Sequence, residues 1–206
     1  MTVYHLKLPL SEEDVRKLRI GDSIYVTGDI VTARDDAHKH ALELHEKGEQ
    51  LPVDFSKLAI YHCGPIMKKD EKTGEWKVVV AGPTTSMRME LFQDKFIEAF
   101  GTRLIIGKGG MGDRTATACK KFGAIYAMFT GGAAILAADR IKKVKEVHWL
   151  DLLGMPECLW VFEVEEFGPL LVAIDAEGNN LFKQNEEVTK QMLPKAYKIV
   201  EKALEA

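Results

Sequence analysis

Thr84, Thr85, Ser86 and Arg88 stand together in one short stretch, and Lys108 follows a little further on. Hydroxyls beside a guanidinium and an ammonium are the equipment of an anion site. Arg suits a planar carboxylate because its fork can make two parallel hydrogen bonds. The hydroxyl group lies in AGPTTSMRME, Ala81 to Glu90, directly after the β-branched run Val78-Val79-Val80. Thr84 or Thr85 can cap a helix starting there, since a side-chain oxygen satisfies a free N–H. Thr84 and Arg88 then share a helical face, and the positive helix end adds to the attraction for an anion. The plainer reading is a capped helix with a solvated Arg.

Lys108 sits in Gly107-Lys108-Gly109-Gly110-Met111-Gly112, which formally matches G-x-G-x-x-G after the apolar run Leu104-Ile105-Ile106. A dinucleotide fold wants an acidic residue about 20 positions on. That region is Met128-Phe129-Thr130-Gly131-Gly132, with no acid. A Walker loop is excluded because no Ser or Thr follows the Lys. A Lys between glycines can still present its ammonium to an anion, and the plainer reading is a tight turn. A non-catalytic anion- or dinucleotide-binding protein is the alternative from another functional class.

A third cation, Arg34, lies where the strand pattern Ile30-Val31-Thr32-Ala33 gives way to a helix running to about Lys47. Asp35 is a plausible cap for that helix. Asp35 and His38 could orient Arg34, or be only a cap and a surface histidine.

The elements around these residues alternate between strand and helix. Ser11 and Asp14 form a capping box for a short helix. Ser23–Gly28 and Ile30–Ala33 read as two strands, and Ala59–Cys63 as another. Lys68–Glu75 is a charged hairpin-like loop. Trp76 to Met111 reads as strand, turn, helix, strand, turn, with Leu91, Phe92, Phe96, Ala99 and Phe100 on one helical side. Both turns would then lie at the C-terminal ends of strands, where open α/β sheets bind ligands. Asp113–Phe122 is a helix, Ala124–Phe129 a buried strand, and Ala133–Asp139 an Ala-rich helix packed close on the sheet. Gly131-Gly132 reads as packing clearance rather than ligand contact. Val144–Trp149, Trp160–Val164 and Leu170–Ile174 are strands, and Glu186–Ala206 is an amphipathic helix interrupted by Pro194. One α/β domain over residues 1–206 is the simplest organisation.

Composition narrows the function classes. With 206 residues, 46% apolar, the chain can bury a sizeable core. A net charge of −3 gives no basic field for nucleic acid. No run approaches the length of a membrane span, and the N-terminus lacks a signal-peptide pattern, so a cytoplasmic location is expected. Cys63, Cys119 and Cys158 are widely separated, with no C-x-x-C spacing. This argues against a disulfide framework and against a Cys-only metal site made by this chain, so no metal ligand is assigned here.

TARDDAHKH (Thr32–His40), YHCGP (Tyr61–Pro65), AGPTTSMRME, IIGKGGMG (Ile105–Gly112), TGGAAILAA (Thr130–Ala138), LGMPE (Leu153–Glu157) and EFGPLLVAIDAEGNN (Glu166–Asn180) occur in this order. Together they resemble the β subunit, or C-terminal domain, of the iron–sulfur hydro-lyases: class I fumarases and L(+)-tartrate dehydratases. The resemblance implies a swivelling β/β/α domain and half of an active site. It implies a 4Fe–4S cluster held by three Cys of a partner α subunit, not by this chain, with one open iron acting as a Lewis acid. It also implies an α2β2 heteromer and a dicarboxylate substrate, with fumarate hydrated reversibly to malate. By motif, Arg34, Thr84, Arg88 and Lys108 carry over, and with Thr85 they would be the substrate-binding residues. Thr84, Arg88 and Lys108 would be catalytic, and Thr85 is the alternative to Thr84 for proton transfer. TARDDAH and TGGAAILAA lean towards the fumarases; L(+)-tartrate dehydration to oxaloacetate is the alternative reaction.

Overall fold

The structure, a computed structural model, describes residues 2–204, and a closed barrel lies at its centre. In chain order the elements are β1 (Val3–Lys7), α1 (Glu12–Lys17), β2 (Ser23–Thr32), α2 (Asp35–Glu46), β3 (Ala59–Tyr61), β4 (Ile66–Lys69) and β5 (Trp76–Val80). A 3-10 segment (Ser86–Leu91) leads into α3 (Gln93–Phe100), β6 (Leu104–Gly107), α4 (Asp113–Phe122), β7 (Ile125–Met128) and α5 (Ala134–Arg140). The chain ends in β8 (Ile141–His148), α6 (Leu150–Leu153), β9 (Leu159–Ile174) and α7 (Leu181–Leu204).

Strands β2, β3, β6 and β7 run parallel and in that order. β9 is antiparallel to both β7 and β2, so it closes the ring. Closure removes the free edges an open sheet would have exposed. β1 extends the sheet beside the first half of β2, and β8 lies beside the first part of β9. The barrel strands are apolar on both faces, as expected of parallel strands covered on each side. Alternate residues belong to different cores. Ala59, Tyr61, Leu104, Ile106, Ile125 and Ala127 share the inner cluster with Trp160 and Phe162. Ile105 and Tyr126 pack outward with Ala116 and Cys119 of α4. Ile60 and Val161 pack outward with Ala37 and Ala41 of α2 and Phe96 of α3. Val15 of α1 and Leu18 just after it join the inner cluster, and the Ser11–Asp14 capping box starts that helix as expected.

Several expectations change. The two strands around Gly28 are one, β2, with a register shift at Val26–Gly28. Gly28 has φ 136°, and a Cβ there would lie 2.8 Å from Leu8 Cβ. The two strands flanking Phe167-Gly168-Pro169 are likewise one strand, β9, which changes partners from β8 to β7 along its length. The Val78–Val80 run is not a barrel strand: β5 pairs only with β4 in a two-stranded hairpin, and Val79 stays exposed. The helix expected straight after Thr84–Thr85 begins as a 3-10 segment, with α-helix only from Gln93. Ser86 and Met89 are both fully buried, and a spacing of three puts them on one edge of a 3-10 helix. Its buried side continues through Gln93, Phe96 and Ile97, while Leu91 faces solvent. Of the Ala-rich α5, Ala137 is buried but Ile135 and Leu136 are exposed. α7 continues through Pro194; Glu205 and Ala206 lie outside the described residues.

Candidate active site

Because β2, β3, β6 and β7 are parallel, their C-terminal ends open on one rim. Arg34 follows β2, His62 follows β3, Lys108 follows β6, and Thr130-Gly131 follow β7. The hydroxyl stretch reaches this rim from the hairpin rather than from a barrel strand. The Tyr61 hydroxyl, inside the barrel, donates to the Ala81 carbonyl at 2.6 Å. Pro83 bridges to Cys63, and Thr85 bridges in parallel to Lys108. The Thr84 N–H donates to the His62 carbonyl at 2.6 Å, the Lys108 N–H to the Thr84 carbonyl at 3.2 Å, and the Ser86 N–H to the Lys108 carbonyl at 2.9 Å. Residues 83–86 are thus a short extended segment laid between the ends of β3 and β6. This pairing holds the backbone extended and delays the helix. Thr85 occupies the N-cap position but makes no side-chain cap bond, so neither threonine is the hydroxyl cap the sequence suggested.

The structure brings Arg34, Thr84, Thr85, Arg88 and Lys108 to this one rim. Their surroundings differ. Arg34 Nη2 lies 3.1 Å from Glu157 Oε1, the side chains being 19% and 14% exposed. Gly64 makes room for it: a Cβ there would fall 2.6 Å from Arg34 Nη1. The Nε of Arg34 is buried with no hydrogen-bond partner among the described residues. Arg88 Nη2 lies 2.5 Å from Asp35 Oδ2, and the Arg88 side chain is 52% exposed. Asp35 therefore faces Arg88, not Arg34. Nor is Asp35 the cap of α2: the Asp36 N–H donates to Glu157 Oε2 at 3.2 Å. Burial raises the Glu157 carboxyl above its ordinary range, against the opposing pull of that N–H and of Arg34. Lys108 rests on Gly131, where a Cβ would lie 2.7 Å from Lys108 Cδ. Gly131 thus gives the clearance expected of the pair, and the side chain it clears is Lys108, whereas a Cβ on Gly132 would meet open space.

Below the rim is a layer of buried polar groups. His38 and His62 are fully buried, as are Ser86 and Gln93. His38 Nδ1 donates to the Arg34 carbonyl at 2.8 Å. The Gln93 amide lies 3.2 Å from His38 Nε2 and 2.9 Å from His62 Nε2. His62 Nδ1 is 2.9 Å from Ser86 Oγ, which also accepts the Lys108 N–H at 3.2 Å. The Tyr126 hydroxyl is 3.0 Å from Ser86 Oγ and donates to the Gly109 carbonyl at 2.8 Å. Gly107 is needed here, since a Cβ on it would collide with Ser86 Oγ at 1.8 Å. Burial lowers the His38 pKa to about 4 and moves His62 in the same direction. His38 is thus no surface histidine. Glu157, His62, Ser86 and Gln93 were not assigned roles from sequence, although Glu157 and His62 stand in LGMPE and YHCGP.

The Gly107–Gly112 loop does not offer a pyrophosphate site. At the start of α4 the N–H groups of Gly112, Arg114 and Thr115 donate to the Glu90 carboxylate at 2.8, 3.1 and 3.2 Å. A dinucleotide would place its phosphates on such N–H groups, so this structure counts against the dinucleotide alternative. The cysteines do not fit a cluster. Cys63 and Cys158 belong to the inner core and Cys119 to the α4 layer. Burial raises all three thiols, Cys158 to about 12. Among the described residues, no group of three or more His, Cys, Asp or Glu is placed to hold a metal ion.

The family model described as Fumarase C-terminus matches residues 2–185. The chain belongs to the fumarase C-terminus family. Among its relatives, the L(+)-tartrate dehydratase subunit beta of Escherichia coli K12 is 48% identical over 183 residues, 89% of this chain and 88% of the relative. A protein of Methanocaldococcus jannaschii, provisionally named L(+)-tartrate dehydratase subunit beta, is 42% identical over 191 residues, 93% of this chain and 95% of the relative. A Geobacillus stearothermophilus protein, provisionally named fumarate hydratase class I, is 42% identical over 193 residues. That match covers 94% of this chain but 35% of the longer relative. Among the described residues, no helix is long and apolar enough to cross a membrane.

Proposed function

We propose that residues 1–206 form a single domain of the swivelling β/β/α type, the β subunit of a two-subunit iron–sulfur hydro-lyase. It acts on a C4 dicarboxylate in the cytoplasm, in an α2β2 assembly. The observation that carries the reading is the convergence of Arg34, Thr84, Arg88 and Lys108 on one barrel rim in a chain of this family. Three cations suit a dianion. The 4Fe–4S cluster belongs to the partner α subunit, since the separated, buried thiols here do not fit it, and no step below runs through it.

Within this chain, Arg88 is the group best placed to take a substrate carboxylate. It is half exposed, and its present partner Asp35 is a carboxylate that a substrate can replace. Arg34 is held against Gly64 and Glu157, with its Nε donor still unpartnered. Lys108 adds a point charge from the opposite side of the Thr84–Ser86 segment. Removing a proton next to a carboxylate builds negative charge on that carboxylate, and preorganised cations stabilise it in the transition state. The Thr84 hydroxyl makes no hydrogen bond among the described residues, which leaves it free to carry the proton. A neutral hydroxyl is a weak base, so it works only because the neighbouring cations lower the cost of its charged form.

Fumarate hydration to malate is the expected reaction, on the TARDDAH and TGGAAILAA motifs. L(+)-tartrate dehydration is the second reading, and the names of the Escherichia coli and Methanocaldococcus relatives favour it. The test is anaerobic reconstitution with the Cys-bearing partner subunit, followed by assays on fumarate, malate and L(+)-tartrate. Turnover of one pair with co-elution of the two subunits is expected. Activity or a stable cluster on this chain alone would overturn the split site.

A further inference from the structure

The buried layer contains a conflict that fixes its hydrogens. His38 Nδ1 faces a carbonyl, that of Arg34, at 2.8 Å. A carbonyl can only accept, so His38 Nδ1 carries a proton. If the Gln93 carbonyl oxygen lay between the two rings, His38 Nε2 would need a proton as well. His38 would then be a cation with no exposure, hydrogen-bonded only to neutral acceptors, with the Asp35 carboxylate acting on it only through space. The amide NH2 would also be left buried with no partner. Turning the amide over exchanges its oxygen and nitrogen without moving the side chain, and such orientations follow from the hydrogen-bond network.

We propose that Gln93 places its NH2 between His38 and His62, so that the buried layer is one directed chain of neutral hydrogen bonds positioning Arg34 and Lys108. The two amide protons go to His38 Nε2 and His62 Nε2. Each imidazole then carries its proton on Nδ1. His38 gives that proton to the Arg34 carbonyl, and His62 gives its own to Ser86 Oγ. Ser86 also accepts the Lys108 N–H, and its hydroxyl proton goes to Tyr126. Tyr126 passes its proton to the Gly109 carbonyl. Among the side chains of this layer, and among the described residues, the group left without a partner is the Gln93 carbonyl oxygen, which is tolerated more often than an orphaned N–H. Both rings are neutral, in keeping with burial having pushed both pKa values down.

The chain of bonds ends on backbone at both sides of the rim. At one end it holds the first carbonyl of α2, the carbonyl of Arg34 itself. At the other it holds the Lys108 N–H and the Gly109 carbonyl. His62 also supplies, through its carbonyl, the acceptor for the Thr84 N–H. His38, His62, Gln93, Ser86 and Tyr126 are therefore positioning residues. Their effect on turnover rests on the function proposed above, whereas the proton placement stands apart from it.

Imidazole nitrogen spectra of the 15N-labelled full chain read the proton positions directly. Neutral Nδ1–H forms at both His38 and His62 near neutral pH are expected. An Nε2–H form at either ring, or an imidazolium at His38, would overturn the proposal. This measurement needs no activity, so it separates the proposal from the hydro-lyase reading. Gln93→Glu is the second test. A carboxylate cannot donate, so at least one ring must take a proton on Nε2, and turnover of the reconstituted complex should fall about tenfold or more, on the scale of misplaced catalytic groups. If Gln93→Glu leaves both the spectra and turnover unchanged, the carbonyl faces the rings and the proposal fails. Should that variant not fold, the wild-type spectra alone decide.

Discussion

Arg34, Arg88 and Lys108 stand at the rim of the barrel, and His38, His62, Gln93, Ser86 and Tyr126 lie beneath them. The upper group is charged and reaches solvent; the lower group is polar, buried and uncharged. At the rim the half-exposed Arg88 stays hydrated, so under the proposed function its desolvation would fall on substrate binding, whereas Arg34 is already withdrawn against Glu157. A charge in the lower layer would have to be desolvated on folding, and its penalty would be permanent. The lower layer therefore spends its polarity on fixed hydrogen bonds, which hold backbone in place. Perturbing it should show first in stability, whereas perturbing the rim should show first in kinetics.

Acid provides the largest expected effect. The folded pKa of His38 is about 4, below its ordinary value of 6.5. Below about pH 6.5 the unfolded chain binds a proton that the folded chain refuses, so stability falls with pH until about pH 4. The contribution is present in full above 6.5 and amounts to about 3 kcal/mol for this ring. His62 acts in the same direction. Urea unfolding at a series of pH values should give a free energy that drops steeply from pH 6.5 to pH 4, with a shallower drop in His38→Gln. A flat profile across that window would break the contrast between the two layers.

Next in size is Arg88→Lys. The charge survives but the fork is lost. kcat/KM should fall by about 2–4 kcal/mol, the scale of one preorganised donor. The melting temperature should barely move, because Lys keeps the positive charge facing Asp35 and the Arg88 side chain is half exposed. A large loss of stability would mean that Arg88 belongs with the structural layer. Thr84→Val comes third. It keeps the shape, and since Thr84 is no helix cap, stability should be unchanged. Turnover should fall about 10²-fold with KM nearly constant if the hydroxyl moves the proton. Near-normal turnover would pass the role to Thr85, and Thr85→Val would be the variant to measure.

The two layers were unequally legible in the sequence. Arg34, Thr84, Arg88 and Lys108 could be read because cations and hydroxyls beside glycines at strand ends announce themselves locally. The positions of Arg34 and Lys108 on one rim follow from parallel strands, which the alternation of apolar runs and helices signals, whereas Thr84 and Arg88 reach that rim from the β4–β5 hairpin, which it does not signal. The lower layer is assembled from five separate elements, and no spacing joins Gln93 to His38 and His62. Gln93 reads as the polar side of an amphipathic helix, yet the 3-10 start rotates it inward. Barrel closure was hidden for a similar reason. β9 is long enough to pair with β2, β7 and β8 in turn, and a glycine–proline pair in its middle reads as a break. The β4–β5 hairpin misled in the opposite sense, because three valines suggest a core strand wherever they lie. Glu157 was missed because its partner Arg34 is distant in sequence and a single acid in a loop has no local signature.

Asp35→Asn should give the smallest effect, and it tests how the rim is arranged. Asp35 sits in the first turn of α2 and also meets Arg88. Losing its charge weakens the interaction with the helix dipole, a cost of about 0.3–1 kcal/mol in stability. It also releases Arg88 from a competitor. A partly exposed ion pair of this kind is worth about 0.2–1 kcal/mol, so freeing the guanidinium should lower KM by up to about fivefold. The two consequences are similar in size but appear in different measurements, melting temperature and steady-state kinetics. If Asp35 instead holds Arg88 in its working position, the same substitution should raise KM. A higher KM would move Asp35 from competitor to positioning residue, and would mean that the fixed layer reaches the solvent-exposed cation as well as the backbone below it.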